Sequence, residues 1–441
     1  MQTLLAILLG KTIAKLVRLL KIGGGTAAPG LYALKIDPDL VNKLAGKIPK
    51  NVAITGTNGK TTTARMLSHF AKTNGLKVIR NHTGSNLERG IASTLIQSLG
   101  WNLFNTGGWL GSNLGIWELD EAAFNSVAPK INPDIVIFLN VFRDQLDRYG
   151  EVDSVVKRWC HTLKYLNPQT IVLVNGDDTN TAKLADCFRG KVVFFGVKDY
   201  KIIGESLQHK IHPHKLDFEA KKVKLNGLHG SQFDLRFNNK DLRIKLPLPG
   251  IYHIYDALAA IACASYLTDT PIHRYTDTLK SFSPAFGRVE RLPFGYIFLI
   301  KNPAGATQVF ETIAPNLKQN DRLLLALNDN IADGTDVSWI WDGKFEALQP
   351  TTYNLLTMCS GTRAYDLANR LKYAGFDAGL ITVEEDLKKA LQLSRTGLKG
   401  HLSFPKENSP TVYILPTYTA MLQLQRILAK SGIKRHYWES D

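Results

Sequence analysis

Residues 53–63, AITGTNGKTTT, combine two glycines with a lysine and a run of threonines. A glycine turn at the start of a helix presents backbone N–H groups and the positive end of the helix dipole to phosphate oxygens. The ammonium of Lys60 offsets phosphate charge, and the hydroxyl of Thr61 can ligate Mg²⁺. Ile54 stands where the strict Walker spacing has its first glycine, and a plain glycine turn is the structural alternative. The candidate nucleotide-binding residues are Gly56, Thr57, Asn58, Gly59, Lys60, Thr61 and Thr62.

Two acidic segments follow this loop along the chain, at 117–122 (WELDEA) and at 139–150 (LNVFRDQLDRYG). Metal-assisted phosphoryl transfer needs carboxylates that place Mg²⁺ against the terminal phosphate. Both segments can supply such groups. The alternative is that they form solvated acidic turns.

The residues around the loop predict a sheet that would position it. An apolar strand pattern at 51–55 leads into the glycines and then into a helix from Thr61, as in a nucleotide-binding sheet. Further buried strands are predicted at 134–140, 170–174 and 191–195, separated by helical stretches. Short alternating segments between about 200 and 247 predict small antiparallel strands, which we interpret as an insertion.

A second α/β unit is predicted after a helix at 251–268 and a linker at 281–286. The fold class is therefore expected to be α/β, with a central phosphate-loop domain built on a doubly wound parallel sheet and a Rossmann-like C-terminal domain. The expected boundaries are an N-terminal segment 1–48, a central domain 49–284 and a C-terminal domain 285–441.

The composition narrows the classes of partner. Lys and Arg outnumber Asp and Glu by 54 to 39 in the 441 residues, and the net charge of +15 favours polyanions such as nucleotides, pyrophosphate lipids or anionic membrane surfaces. The sequence contains no zinc-finger, basic-zipper or RNA-binding aromatic pattern, so no nucleic-acid partner is expected. The four cysteines lack CxxC spacing, which argues against a disulfide framework and favours a reducing cytoplasm.

The N-terminal 25 residues are rich in apolar side chains, with basic residues at helical spacing. They lack the uninterrupted span of about 20 apolar residues that crosses a bilayer. A signal peptide would carry its positive charges before the apolar run, whereas here they follow it. Two interpretations stay open: an amphipathic helix docked on the protein body, or a helix lying on the cytoplasmic membrane face.

The loop sequence GTNGKTTT resembles the ATP loop of the Mur ligases and folylpolyglutamate synthases. This resemblance implies that ATP phosphorylates a carboxylate and that an amine then attacks the acyl phosphate, with Mg²⁺ holding the phosphates. It implies catalytic roles for Lys60 and Glu118 and Mg²⁺ binding by Thr61 and Glu118. The segments 250–260 and 286–290 resemble nucleotide contacts of the family, which implies that Asp256 and Arg288 bind the nucleotide.

Two positions depart from the Mur ligase pattern. Gln145 stands where most Mur ligases have a metal-binding histidine, and an amide oxygen is a weaker ligand for a hard cation. Trp159 stands where many of them use a modified lysine, and the nearby Lys157 would lie on a different helix face.

Three segments narrow the resemblance to the MurT family, the ligase subunits of lipid II isoglutaminyl synthases: 81–86 (NHTGSN), 301–305 (KNPAG) and 327–342 (LNDNIADGTDVSWIWD). This resemblance implies amidation of the D-glutamate α-carboxylate in the stem peptide of lipid II, a peptidoglycan precursor. It also implies a heterodimer with a GatD-like glutaminase that supplies ammonia, with Asp336 completing the Cys-His pair of the partner. A helix cap is the structural alternative for Asp336.

MurT relatives often carry a four-cysteine zinc ribbon in the central insertion, but residues 200–247 contain no cysteine. Four histidines lie there instead, without structural-zinc spacing, so no zinc site is expected. Two other functions stay open: a folylpolyglutamate- or cyanophycin-type amino-acid ligase, and a nucleotide-binding regulatory subunit without catalysis.

Overall fold

The computed structural model describes residues 1–19, 27–81, 86–100, 112–142, 152–198, 200–203, 206–209, 215–282, 289–349, 355–396 and 410–434. Between 200 and 209 it describes the backbone only.

Three helices precede the first sheet. The buried face of the first helix consists mostly of small and apolar side chains. Gly10 on this face allows a close approach to the second helix, since a methyl group added there would lie 3.3 Å from the Pro29 carbonyl oxygen. The ammonium of Lys11 donates a hydrogen bond of 2.7 Å to the Leu99 carbonyl oxygen at the end of a neighbouring helix. The first helix therefore docks on the protein body. The three helices are α1 (Gln2–Leu19), α2 (Ala28–Ile36) and α3 (Leu40–Ala45).

The large sheet is parallel from one edge to beyond its middle and antiparallel at the other edge. Its strand order is β11-β10-β9-β6-β5-β4-β1-β3-β2. The strands β9, β10 and β11 of the predicted insertion continue this sheet, because β9 pairs with β6. Two further strands form a separate antiparallel pair. The strands are β1 (Lys50–Thr55), β2 (Val78–Arg80), β3 (Leu114–Leu119), β4 (Ile135–Phe138), β5 (Ile171–Asn175), β6 (Lys191–Val197), β7 (Tyr200–Ile203), β8 (Ser206–His209), β9 (Phe218–Leu225), β10 (Ser231–Phe237) and β11 (Lys240–Leu246).

Helices cover both faces of this sheet and form two apolar core layers. β1 pairs with β3 on one side and with β4 on the other, so the order in which strands are added to the sheet changes direction at β1. In an open α/β sheet, ligands bind at the carboxyl ends of the strands at such a switch point. The helices are α4 (Lys60–Thr73), α5 (Glu88–Ser98), α6 (Ala123–Ile131), α7 (Val152–Leu163), α8 (Thr179–Ala182), α9 (Ile251–Leu267) and α10 (His273–Lys280).

The C-terminal sheet has the order β12-β13-β17-β14-β15-β16 and is parallel apart from the β12–β13 pair. It also has an apolar layer on each face. Its strands are β12 (Glu290–Leu292), β13 (Gly295–Ile297), β14 (Arg322–Ala326), β15 (Leu356–Ser360), β16 (Ile381–Val383) and β17 (Val412–Pro416). Its helices are α11 (Pro303–Ile313), α12 (Ala364–Tyr373), α13 (Leu387–Thr396) and α14 (Tyr418–Lys430). The α/β fold class is the predicted one.

One expectation about the cysteines was wrong. Cys160 on α7 and Cys187, at the end of a short 3-10 helix, form a disulfide, whereas Cys263 and Cys359 are buried and free. The two bonded residues are 27 positions apart, and only the packing of α7 against that short helix brings their Cα atoms to 5.3 Å. The spacing of the cysteines in the sequence is therefore not sufficient to predict this disulfide.

In the part of the chain that the structure describes, no helix is long and apolar enough to cross a bilayer. The same residues contain no group of three metal-ligating side chains. The side chains of the insertion histidines at 209, 212 and 214 lie outside the described residues, and the absence of zinc stays a prediction.

Candidate active site

The phosphate loop turns sharply between β1 and α4. Gly56 and Gly59 have positive φ angles of 137° and 89°, which side chains with a Cβ rarely adopt. A methyl group added at Gly56 would also lie 2.9 Å from the Asn140 carbonyl oxygen. α4 begins at Lys60, and the first turn of a helix offers N–H groups that no intrahelical carbonyl accepts. The structure thus places the predicted residues 56–62 in one turn that has the geometry of an anion site.

The side chain of Lys60 is buried beneath this turn. Its Nζ donates a hydrogen bond to the Gly56 carbonyl oxygen and lies 3.6 Å from the Glu121 carboxylate. Both charged side chains are shielded from water, so their attraction is stronger than that of an exposed pair. Glu121 is not among the site residues predicted from the sequence. The sequence feature that could have indicated Glu121 is its place in the same short acidic segment as Glu118.

Glu118 lies near the end of β3, beside the loop. Its carboxylate accepts a 2.7 Å hydrogen bond from the Thr61 hydroxyl and lies 3.6 Å from the Arg80 guanidinium. The side chain of Asn81 brackets the Glu118 backbone, accepting from its N–H at 2.8 Å and donating to its carbonyl at 2.9 Å. The structure therefore brings together the two predicted Mg²⁺ ligands. It also reveals Arg80 and Asn81 as residues that position Glu118.

The segment after β4 holds the other side of the loop. The Asn140 carbonyl accepts from the Thr57 N–H at 2.9 Å, and the Asn140 amide exchanges hydrogen bonds of 2.8 and 3.1 Å with the Asn58 backbone. The next residue, Val141, donates its N–H to Asp178 at 2.7 Å. Burial raises the pKa of Asp178 to about 6. A chain of buried polar contacts thus fixes the loop conformation.

Trp159 is fully buried on α7, and its indole N–H donates a 2.8 Å hydrogen bond to the Glu121 carbonyl oxygen. Lys157 on the same helix is exposed. Trp159, at the position where the family resemblance would put a modified lysine, therefore supports the backbone of Glu121. Gln145 lies outside the described residues.

A cavity of 340 Å³ opens beside the loop, with walls that are mostly apolar. Asp256 on α9 is buried and lies against Gly59, where an added methyl group would approach the carboxylate closely. The hydroxyl of Thr63 donates to Asp256 at 3.3 Å. Arg288, the other residue predicted at the nucleotide, lies outside the described residues. The polar and glycine positions at the wall nearest the loop include Asn58, Gly59, Asp256, Lys301 and Gly305.

The C-terminal unit closes the cavity from the opposite side. Lys301 donates to the Thr57 carbonyl oxygen at 3.3 Å. Asn302 and Asn58 exchange side-chain hydrogen bonds of 3.1 and 3.3 Å, and Asn302 also caps α11 by accepting from the Gly305 N–H at 2.8 Å. The segment 301–305 carries a family resemblance in the sequence, but no contact with the loop was predicted for it. Its contact with the loop is a structural finding.

Asp336 does not line this cavity. It is exposed and accepts a 2.8 Å hydrogen bond from the Ser338 N–H, just before the 3-10 helix Ser338–Trp341. The N-cap position of this 3-10 helix is Val337, without a side-chain cap hydrogen bond, so the Asp336 contact is a local turn and not the helix cap considered as the structural alternative. A role toward a partner is compatible with it, because a carboxylate accepts several hydrogen bonds at once.

Comparisons with known proteins cover both units. The Mur ligase middle domain family matches residues 54–264, and the MurT ligase C-terminal family matches residues 299–421. The MurT subunit of lipid II isoglutaminyl synthase (glutamine-hydrolyzing) from Streptococcus pneumoniae is 30% identical over 94% of this chain and 95% of its own length. The chain belongs to the MurT family. The Staphylococcus aureus (strain COL) MurT subunit is also 30% identical, over 83% of this chain and 86% of that protein.

Solved structures share the fold of this MurT family member at low identity. MurF from Acinetobacter baumannii superposes with a TM-score of 0.67 at 15% identity, covering 92% of this chain and 81% of that one. Folylpolyglutamate synthase from Mycobacterium tuberculosis, complexed with ADP and AMPPCP, gives 0.63 at 14% identity, covering 90% and 93%. Membership of the Mur ligases makes ATP the expected nucleotide of the MurT loop.

Proposed function

We propose that this chain is the ligase subunit of a lipid II isoglutaminyl synthase, which amidates the α-carboxylate of the stem-peptide D-glutamate to give D-isoglutamine. The observation that carries the proposal is that the phosphate loop contacts both Glu118 and the Lys301 segment. This arrangement occurs in a chain that aligns with MurT over nearly its whole length.

The proposed reaction has two steps. A carboxylate oxygen of D-glutamate attacks the γ-phosphorus of ATP, the bond from that phosphorus to the β–γ bridging oxygen breaks, and ADP leaves. Ammonia then attacks the carbonyl carbon of the acyl phosphate and loses a proton to solvent. The bond from that carbon to the phosphate oxygen breaks, and inorganic phosphate leaves as the amide forms.

The residues at the cleft fit these steps. The N–H groups of residues 56–62 and the Lys60 ammonium would hold the β- and γ-phosphates, which is where phosphoryl transfer needs positive charge. The Thr61 hydroxyl and the Glu118 carboxylate are oxygen ligands suited to Mg²⁺, and the ion would neutralise phosphate charge. We place Asp256 and Arg288 at the nucleotide end.

Ammonia would come from a glutamine-hydrolysing partner of the GatD kind. None of the four cysteines of this chain offers a nucleophile: two are bonded to each other and two are buried, and burial raises the pKa of both free thiols. An accessible thiolate is what a glutaminase needs. The nucleophile therefore belongs to the partner in this proposal.

The face that we propose for the partner includes Asp336 and two exposed aromatic rings. Trp341 ends the 3-10 helix that follows Asp336, and its ring packs 5.5 Å from the ring of Tyr373 on α12, centroid to centroid. Exposed Trp and Tyr side chains are enriched at protein interfaces. We propose that the partner covers this pair and that Asp336 orients the histidine beside the nucleophilic cysteine of the partner.

The test is an amidation assay with the purified chain, lipid II, ATP and Mg²⁺, with and without a GatD-like glutaminase and glutamine. Mass spectrometry should show a hydroxyl replaced by an amino group, together with release of one phosphate per product. ATP binding without any phosphate release under all of these conditions would support a regulatory subunit instead. Amino-acid addition in place of amidation would support the polyglutamate-type ligase.

A further inference from the structure

The outward face of α1 carries an apolar stripe. The buried face of this helix is formed by Ala6, Ile7, Gly10, Lys11 and Ala14. The opposite face exposes four leucines whose spacing, at 3.6 residues per turn, places them on one side of the helix. Their exposure reaches 58% at the second turn and 68% at the helix end. The four leucines are Leu5, Leu8, Leu16 and Leu19.

The charges on this helix are all positive. Its 18 residues contain no Asp or Glu; the exposed Lys15 lies beside the leucine stripe, and the exposed Arg18 lies further round the helix, on the side toward α5. Arg18 reaches the Gln97 side-chain oxygen at 2.8 Å, a neutral acceptor that leaves its charge uncompensated there. α2 packs on α1 and exposes Tyr32, with Lys35 5.3 Å from the centre of its ring. The surface therefore combines leucines, a tyrosine and cations.

We propose that this outward face of α1 docks the protein on an anionic lipid bilayer, with the helix lying parallel to the membrane plane. The helix cannot turn to cross the bilayer, because its other face is packed against α2 and α5 and Lys11 is tied to the end of α5. Insertion is thus limited to the depth of the leucine side chains, as for interfacial amphipathic helices. The inference goes beyond the proposed reaction and needs no property of the ATP site.

Charge selects the lipid surface over the other possible occupants. A second copy of this chain would bring Lys15 and Arg18 of both copies together, since a symmetric contact pairs a surface with itself. The chain as a whole carries +15, which opposes self-association and favours an anionic surface. If the substrate is lipid II, docking would also hold the cleft near a substrate that stays in the membrane.

The experiment measures flotation of the full-length chain with vesicles, in the absence of ATP. Vesicles of phosphatidylglycerol and phosphatidylcholine are compared with vesicles of phosphatidylcholine alone. The triple variant Leu5→Gln/Leu8→Gln/Leu16→Gln should lower partitioning by roughly tenfold or more. The double variant Lys15→Gln/Arg18→Gln should lower it by about fivefold per charge on anionic vesicles only, and added salt should mimic that loss.

Two controls make the result specific. Tyr165→Ser removes an exposed apolar side chain far along the sequence from α1 and should leave vesicle binding unchanged. Equal thermal unfolding of the wild type, the two α1 variants and Tyr165→Ser shows that the exposed substitutions do not disturb the fold. Lys60→Met should float like the wild type, so a failed ATP-site assignment and a failed membrane assignment give different results.

Failure of the wild type to float with anionic vesicles would overturn the proposal, as would unchanged flotation of the leucine variant. Sedimentation velocity without lipid provides a third criterion. A wild-type dimer that the leucine substitutions convert to a monomer would assign the stripe to a second copy of this chain instead. Loss of glutaminase binding by the leucine variant would assign it to the partner.

Discussion

The phosphate loop and the segment around Asp336 are held in opposite ways. Each turn of the loop is fixed by buried contacts from other parts of the chain, such as those from Asn140 and Asn302. Asp336 is exposed and accepts a hydrogen bond from the N–H of Ser338, two positions further along the chain. The first site is assembled by the fold of this chain. The second presents an exposed carboxylate at the surface of the C-terminal unit.

This difference suggests a division of work between the two regions. Preorganised groups in a site shielded from water stabilise developing charge most effectively, which suits phosphoryl transfer within one chain. A residue that serves another protein must stay accessible until that protein binds. Substitutions in the loop should therefore affect activity with any nitrogen source, whereas a substitution at Asp336 should affect only the supply of ammonia.

The largest effect is expected for Lys60→Met, which removes the ammonium that would face the phosphates and keeps the apolar stem. Amidation should fall roughly thousandfold with both glutamine and ammonium as nitrogen source, because a preorganised charge at the transferred group is lost. Phosphate release per lipid II gives the measurement. Near-normal turnover would remove Lys60 from the ATP site.

The control for this variant arises from the ion pair with Glu121. Removing one partner of a buried pair leaves the other charge uncompensated and destabilises the fold. The double variant Lys60→Met/Glu121→Gln removes both charges and should regain thermal stability while staying inactive. Lys72→Met, an exposed lysine on the same helix, should behave like the wild type.

The second prediction tests the other region with Asp336→Asn. Amidation with glutamine should fall by about a hundredfold or more, whereas amidation with ammonium should stay within about threefold of the wild type, since an amide neither fixes the tautomer of the histidine nor stabilises its charged form. Rates with the two nitrogen sources are compared in the presence of the glutaminase. Asparagine retains an acceptor for the Ser338 N–H, so the local turn should survive.

Asp342→Asn is the matched control, because Asp342 is exposed at the other end of the same 3-10 helix. It should retain glutamine-dependent activity. A selective loss at Asp342 instead would move the partner role there. Asp333 is a poorer candidate, since it is buried and accepts two hydrogen bonds from Thr419. Equal loss by Asp336→Asn with both nitrogen sources would contradict the division between the regions.

The third prediction concerns Glu118→Gln. The Mg²⁺ concentration for half-maximal amidation should rise roughly tenfold, because a neutral amide is a poorer ligand for a hard cation than a carboxylate. The amide also accepts the hydrogen bond from Thr61, so the loop should keep its shape. An unchanged magnesium titration would remove Glu118 from the site, and Asp120→Asn serves as the control within the same acidic segment.

Local patterns were sufficient to predict the loop and the sheet that carries it. The strand at 51–55, the glycines and the helix from Lys60 are adjacent in sequence, and their order fixes their geometry. The alternation between about 200 and 247 likewise predicted antiparallel strands. That these strands continue the large sheet depends on the pairing of β6 with β9. Strand pairing across long loops is not contained in local periodicity.

The groups that brace the site could not be predicted in the same way. Asn81 acts on Glu118 from 37 residues away, Asp178 acts on Val141 over the same separation, and Asn302 reaches Asn58 over 244 residues. Asn81 and Asn302 lie in segments that carry the family resemblance, but nothing local in the sequence indicates which distant group each of these side chains contacts. The disulfide between Cys160 and Cys187 was missed for the same reason.

The smallest expected effect concerns the contact that joins the two units at the loop, the paired amides of Asn58 and Asn302. Each single substitution to alanine has side effects, because Asn58 lines the cavity and Asn302 caps α11. Loss of such a cap alone costs about 1 kcal/mol. A double-mutant cycle removes these separate costs, since they appear in both backgrounds and cancel. The remaining coupling in kcat/KM for ATP should be about 1 kcal/mol, or roughly fivefold, as for a pair of hydrogen bonds between neutral groups. Strict additivity would mean that these two amides are not paired during turnover, and the contact of Lys301 with the Thr57 carbonyl oxygen would then be the remaining link between the C-terminal unit and the loop among the contacts described above.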